Sequence, residues 1–76
     1  MIALTDREIM VLSAVARGYT NREVGFIMFL KEKTIKSHLR SIFIKLGADT
    51  RTGAVWKALE LGIITPPRRI DATQAR

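Results

Sequence analysis

The segment from residue 31 to residue 47, KEKTIKSHLRSIFIKLG, constrains the fold of this chain more than any other stretch. On a helix of 3.6 residues per turn, one narrow apolar stripe forms from Ile35, Leu39, Ile42 and Leu46, with Phe43 on its flank. The opposite side collects Lys33, Ser37, Arg40 and Ser41, with Lys36 at its margin. Such a helix has to bury its stripe against other helices, so the segment predicts a small helical domain.

The polar side of this predicted helix is strongly basic. The segment holds one acid, Glu32, and five cations, which are Lys31, Lys33, Lys36, Arg40 and Lys45. A cationic helix with short hydroxyl side chains suits the major groove of DNA, because arginine and lysine bind guanine and phosphates there. A surface helix whose basic side is merely solvated is the alternative, and the rest of the sequence has to separate the two.

The composition of the whole chain favours a polyanionic partner. Its 76 residues carry a formal charge of +6, which suits nucleic acid or an anionic membrane surface. A membrane-surface helix needs a broad apolar face, whereas the stripe here is narrow, so nucleic acid is favoured. No cysteine is present and His38 is the one histidine, so we expect no disulfide, metal site or cofactor. With no bilayer-spanning apolar run and no secretory signal, the chain is predicted to be cytoplasmic.

Two matching start signals predict the first two helices. Thr5 and Glu8 have capping-box spacing, and Leu4 can close on Ile9 as a hydrophobic staple. The core side of helix one is then predicted to hold Ile9, Leu12, Val15 and Ala16, with Met10 and Val11 on the flanks and Gly18 as the stop. Thr20 and Glu23 repeat the signal, so helix two should begin at Asn21.

Helix two contains an unbroken apolar run over residues 24 to 30, VGFIMFL. A strand is the competing interpretation of such a run, but the strong cap before it and the lack of a second strand-like segment favour a helix. About three residues separate it from the long basic helix. Two helices joined by a short turn, the second one basic, indicate a helix-turn-helix.

The rest of the chain predicts a fourth helix and a tail. Gly47 ends the long helix, and Asp49 or Thr50 caps the next one. This fourth helix is predicted to contain Ala54, Val55, Ala58, Leu59 and Leu61 and to end at Gly62, with Ile63 and Ile64 folding back on the core. We therefore expect one all-α, four-helix domain over residues 1–65 and a flexible basic tail over residues 66–76.

These motifs together resemble the LuxR/NarL/GerE type of bacterial DNA-binding domain. The matching stretches are Leu4-Thr5-x-Arg7-Glu8, Gly18-x-Thr20-Asn21-Arg22-Glu23-Val24, Thr34-Ile35-Lys36-x-His38, Lys45-Leu46-Gly47, Arg51-Thr52 and Leu61-Gly62-Ile63-Ile64. The resemblance covers residues 4 to 64 without a gap. It implies a helix-turn-helix whose recognition helix, about residues 32–46, enters the major groove, and a fourth helix that supplies a two-fold dimer contact.

Site residues follow from the resemblance position by position. Base contacts are expected from Lys36, Ser37 and Arg40. Phosphate contacts are expected from Asn21, Arg22, Thr34, His38, Lys45 and Arg51, to which the basic side of the helix adds Lys33. Asn21 also has a simpler interpretation as an exposed first helical residue, and His38 as a half-buried imidazole. No nucleophile or paired carboxylate stands at a useful spacing from His38, so an enzyme is not expected.

The chain departs from the family pattern in helix two and in its connection to the long basic helix. Lys31 replaces the usual serine or threonine cap, and Gly25 replaces the usual small alanine. Phe26, Ile27 and Phe29 stand where the family usually has polar residues. They form either a larger local core, covered by Tyr19 or the tail, or a surface for a protein partner, and the partner surface is preferred.

The sequence therefore predicts a bacterial regulator that binds duplex DNA in a sequence-specific way. A homodimer contact is predicted through Val55, Trp56 and Leu59 on helix four. The chain is expected to be free-standing like GerE rather than the output domain of a longer protein. The alternative is a co-regulator or anti-regulator that binds another protein through Phe26, Ile27 and Phe29.

Overall fold

A computed structural model describes residues 3–66, and this part of the chain forms four α-helices and no strand. The helices are α1 (Asp6–Ala16), α2 (Asn21–Met28), α3 (Glu32–Leu46) and α4 (Arg51–Glu60). The all-α, four-helix fold predicted from the sequence is confirmed. Residues 1–2 and most of the predicted tail lie outside the described part, so the domain limits stay a prediction.

The first two helices begin at complete capping boxes. The Glu8 amide donates to Thr5 Oγ1 over 3.1 Å, and the Thr5 amide donates to Glu8 Oε1 over 2.9 Å. The same reciprocal pair joins Thr20 and Glu23 at 3.1 and 2.8 Å. Each box satisfies two backbone groups that the first helical turn leaves without partners, which is why short polar motifs fix these helix starts.

The other two helices start differently from each other. Thr50 caps α4, because its hydroxyl accepts a hydrogen bond from the Gly53 amide at 2.9 Å. The N-cap of α3 is Lys31, whose side chain makes no capping hydrogen bond. The sequence indicated that Lys31 lacks the usual capping side chain of α3. For α4 the sequence left two candidate caps, Asp49 and Thr50, and Thr50 is the cap in the structure.

The core lies around α3, which packs against each of the other three helices. All four residues of its predicted stripe are buried, and the remaining core members are Val11, Leu12, Val15, Val24, Ala54, Ala58 and Ile64. Two sequence predictions need correction. Val11, placed on a flank of α1, is fully buried, and Leu61, counted with the apolar face of α4, is exposed beyond the helix end. The predicted return of Ile64 to the core is confirmed.

The turn between α2 and α3 is tight and strained. Phe29 follows α2 in the left-handed conformation, with φ 59° and ψ 41°, where a side chain costs about 1–2 kcal/mol. The Leu30 amide donates to the Gly25 carbonyl over 2.8 Å. A Cβ added at Gly25 would lie 2.6 Å from the Leu30 carbonyl oxygen, so glycine lets this backbone approach closely. The strand alternative for this apolar run is wrong, because the run is a helix and its closing turn.

Candidate nucleic-acid interface

The outward side of α3 displays most of the predicted DNA contacts. Lys33, Lys36, Ser37 and Arg40 are exposed, and Thr34 and His38 are half-buried. The helix buries its apolar stripe beneath them, so these side chains project from a rigid element rather than from a loop. A rigid helix of 15 residues that presents cations and a hydroxyl is a suitable element for the major groove.

One residue on this side escaped the sequence analysis. Ile44 is 74% exposed, and its position on the helix is close to opposite Ile35 in the buried stripe. An apolar side chain can contact the methyl group of thymine in the major groove. The same helical wheel that placed Arg40 outward also places Ile44 outward, so the signal was available in the sequence.

A buried carboxylate on α1 fixes the edge of α3 that faces it. Glu8 is only 5% exposed. Its Oε1 accepts a hydrogen bond from Lys45 Nζ at 2.8 Å, and its Oε2 accepts one from Ser41 Oγ at 2.9 Å. Together with the Thr5 amide, these donors satisfy both carboxylate oxygens, so Glu8 serves both the α1 cap and the docking of α3.

The environment of Glu8 stabilises its charged form. Burial acts to raise its pKa, but the hydrogen bonds and charge of Lys45, with the donors from Thr5 and Ser41, outweigh burial and lower the pKa to about 2. Glu8 is therefore ionised at neutral pH. Ser41, which the wheel grouped with the basic side, and Lys45 turn toward α1, so the fold gives Lys45 a partner within the domain.

A polar clamp, separate from the Glu8 contacts, joins the N-termini of α2 and α4. Arg51 Nη1 donates to Asn21 Oδ1 at 2.6 Å, and Arg51 Nη2 donates to the Tyr19 carbonyl at 2.8 Å. Asn21 and Arg51 were both predicted to lie near phosphates, and the structure places them in direct contact with each other. The clamp holds two helix N-termini side by side, where partial positive charge favours anions.

This clamp is continuous with the basic side of α3. A shallow depression of about 380 Å³ is lined by Asn21, Lys36, Leu39, Arg40, Phe43 and Arg51. Residues from three helices thus form one surface with three cations, although they are up to 30 positions apart in sequence. Thr34, His38 and Lys45 do not line this depression, and Arg22 lies beside a different, apolar groove.

The two predicted protein-contact surfaces differ in exposure. On α4, Trp56 is 64% exposed, while Val55 and Leu59 are half-buried against the core. On α2, Phe26 is 85% exposed and Ile27 is also exposed, and Phe29 in the following turn is 93% exposed. Tyr19 therefore does not bury Phe26 or Phe29. Cover by the C-terminal tail, the other form of the larger local core, lies outside the described residues.

Within the described residues, no helix is long and apolar enough to cross a membrane, and no group of three His, Cys, Asp or Glu side chains could hold a metal ion.

The family described as bacterial regulatory proteins, luxR family, matches residues 3–58. A curated relative, the transcriptional regulatory protein YdfI of Bacillus subtilis, is 45% identical over 62 residues, or 82% of this chain. The chain spans only 29% of the length of YdfI.

Solved structures share the fold. The structure of the transcription factor GerE is similar with a TM-score of 0.79 and 29% identity, covering 82% of this chain and 92% of that one. The VqmA structure from Vibrio cholerae gives a TM-score of 0.79 and 25% identity, covering 83% of this chain and 28% of that one. That structure is of a VqmA dimer in the absence of its target DNA, in a study of how LuxR-type receptors bind DNA.

Proposed function

Because the chain belongs to the luxR family of bacterial regulatory proteins, we propose that it binds duplex DNA at specific sequences through α3 and thereby regulates transcription. The observation that carries this proposal is the continuous basic surface on which Lys36 and Arg40 of α3 meet Asn21 and Arg51. Membership of a family of regulatory proteins supports DNA binding and the regulation of transcription, and it does not support an enzymatic activity. The choice of contacting residues is our inference from the geometry.

In this proposal α3 lies in the major groove. Lys36, Ser37 and Arg40 contact base edges, and Ile44 contacts a thymine methyl group. Arginine and lysine bind the acceptor atoms of guanine, and each well-placed bidentate contact discriminates against the wrong base by about 1–3 kcal/mol. Because Lys36 and Arg40 border the same depression, they would address neighbouring base pairs.

The phosphate contacts divide into two groups on either side of α3. Asn21 and Arg51 form one group, in which the Arg51 guanidinium keeps further N–H donors for a phosphate while it holds Asn21. Thr34 and His38 belong to the other edge, which Glu8 orients through Lys45 and Ser41, and Lys33 lies at the exposed start of the helix. For Lys45 we propose mainly this positioning role, since its ammonium is already paired.

A dimer on a two-fold DNA site is the assembly we propose. Trp56 projects from α4 and lines a shallow depression with Val55, Thr52 and Arg51. A two-fold contact between two α4 helices would cover this tryptophan with its counterpart, and half-sites would then lie about one helical turn apart. The dimer described for VqmA supports an assembly of this kind.

The test is a selection of the purified chain against random duplex DNA at moderate salt, followed by sequencing of the retained duplexes. We expect enrichment of a two-fold symmetric motif. Retention without enrichment would overturn sequence-specific binding, and enrichment of a single asymmetric half-site would overturn the dimer. Arg17→Ala, which removes an exposed cation at the end of α1, is a control for the loss of charge in variants of α3.

The alternative function, a co-regulator or anti-regulator with little DNA affinity, rests on the exposed Phe26, Ile27 and Phe29. It leaves the basic surface of α3 without a role. Complete failure of the selection, with no duplex retained, would favour this alternative.

A further inference from the structure

An apolar surface extends across the outward sides of α1 and α2. One groove of about 770 Å³ is lined by residues of α2 and its flanking turns, including Tyr19, Phe26, Ile27 and Leu30. A second depression, of about 410 Å³, borders it and includes Met10, Tyr19 and Ile27. Because Tyr19 and Ile27 line both, the two depressions form one surface, which we call the α1/α2 surface.

The α1/α2 surface is not needed to close the core. Met10, Tyr19, Phe26 and Ile27 are all exposed, whereas the core residues of α1 and α2, such as Leu12 and Val24, are fully buried. Contiguous exposed apolar side chains of this size usually mark a site of interaction. The grooved shape suits the insertion of apolar side chains from a partner.

The charges around the α1/α2 surface are mainly positive. Arg17, Arg22 and Lys31 line its two depressions. Within residues 3–66 the one ion pair joins Glu8 to Lys45, so none of these three cations is paired with a carboxylate there. The lining also holds two acids, Glu23 and Glu32, so its cations outnumber its acids by three to two.

We propose that the α1/α2 surface binds an acidic amphipathic segment of a partner protein, one that inserts apolar side chains between Phe26, Ile27 and Tyr19 and pairs its carboxylates with Arg17 and Lys31. Apolar grooves flanked by charge recognise amphipathic helices in this way. A second copy of this chain is a poorer occupant, because it would bring the same cations face to face on a chain of charge +6. The site adjoins the proposed DNA surface at two points. Arg22 borders this groove and is also a predicted phosphate contact, and the carbonyl of Tyr19 accepts a hydrogen bond from Arg51.

The experiment is a selection of a random 16-residue peptide library on the immobilised full chain. Peptides that bind a double variant, Phe26→Ser with Ile27→Ser, are removed beforehand. A second arm uses the charge-reversed variant Arg17→Glu with Lys31→Glu. Arg22 is left unchanged, and urea unfolding of each variant shows whether it is folded. Because this readout does not depend on DNA, failure here is distinct from failure of the DNA proposal.

We expect enriched peptides with an apolar stripe flanked by Asp and Glu, retained at least tenfold better by the native chain than by either variant. Enrichment of apolar peptides without acidic residues, or equal retention by the charge-reversed variant, would overturn the acidic partner. Peptides that bind the serine variant equally well, or no enrichment at all, would overturn the site. Self-association that depends on Phe26 in sedimentation equilibrium would replace the partner with a second copy.

Discussion

The outward sides of α2 and α3 differ sharply, although the two helices share one core and are joined by a short turn. The outward side of α3 presents Lys33, Lys36 and Arg40, and that of α2 presents Phe26 and Ile27. Both helices bury an apolar side, so the core does not dictate what either one displays to solvent. From this difference we propose two roles, in which α3 binds a polyanion and α2 binds an apolar partner.

The two helices are also held differently. The Glu8 carboxylate fixes α3 to α1 through Ser41 and Lys45, while α2 reaches α3 through a turn with Phe29 in a strained conformation. A binding surface gains affinity when its side chains are already in place, which is the effect of the Glu8 contacts on α3. Substitutions at Glu8, Arg40, Phe29 and Phe26 test these differences between the two helices one at a time.

The largest effect is expected from Glu8→Gln, which removes the charge that holds α3. A folded-state pKa of about 2, against an ordinary value of 4.5, corresponds to about 3 kcal/mol of stability at neutral pH. This stability is present above the unfolded-state pKa and is lost as pH falls toward 2. Urea unfolding from pH 7 to pH 2 should show the loss in the native chain and a much flatter profile in Glu8→Gln. An equal pH dependence in both proteins would contradict the role of Glu8. The control is Glu60→Gln, which removes an exposed carboxylate and should keep the pH dependence of the native chain.

The second effect concerns DNA binding by α3. Arg40→Ala should weaken binding to the selected duplex by about 1–3 kcal/mol and relax the preference at one base pair. Lys33→Ala should instead weaken binding to all duplex sequences alike. It should also reduce the slope of log K against log salt by about 0.9, which corresponds to the loss of one phosphate contact. Fluorescence anisotropy over a salt series measures both. If Arg40→Ala left the base preference unchanged, Arg40 would be a phosphate contact and not a base contact.

The third effect tests the strained turn after α2. Phe29→Gly should raise the free energy of unfolding by about 1 kcal/mol, because glycine adopts the left-handed conformation without the cost of a Cβ. Phe29→Ser keeps the Cβ and is the matched control, for which almost no change is expected from so exposed a side chain. Thermal or urea unfolding measures both variants. Equal stability of the two would show that the turn carries little strain.

The smallest effect is expected from Phe26→Ser on the outward side of α2. Because Phe26 is 85% exposed, the free energy of unfolding should change by less than about 0.5 kcal/mol, and DNA affinity should not change. Urea unfolding and anisotropy provide the two values. A loss of 2 kcal/mol or more would mean that Phe26 packs inside the fold, and the contrast between α2 and α3 would disappear.

Local chemistry controls the parts of the fold that the sequence predicts. Thr5 with Glu8 and Thr20 with Glu23 each mark a helix start within four residues, and Gly47 marks a helix end. The starts of α1 and α2 and the end of α3 therefore followed directly from the sequence. The stripe on α3 was predicted in full, because burial repeats with the helical period.

The parts that were missed depend on contacts between distant residues. Glu8 lies 33 and 37 positions from Ser41 and Lys45, and Asn21 lies 30 positions from Arg51. No local pattern marks these pairs, since a glutamate in a capping box and a lysine near a helix end each already have a sufficient local explanation. Val11 was misplaced for a related reason: α1 is buried over a wider arc than its helical spacing alone indicated.

The most direct test is a titration of the isotope-labelled full chain with the selected duplex, followed by backbone amide chemical shifts. We expect the largest shifts over residues 33–44 of α3 and at the N-termini of α2 and α4, with the amide shifts of Phe26 and Ile27 almost unchanged. Largest shifts at Phe26, Ile27 and Leu30, with α3 unaffected, would contradict DNA binding through α3.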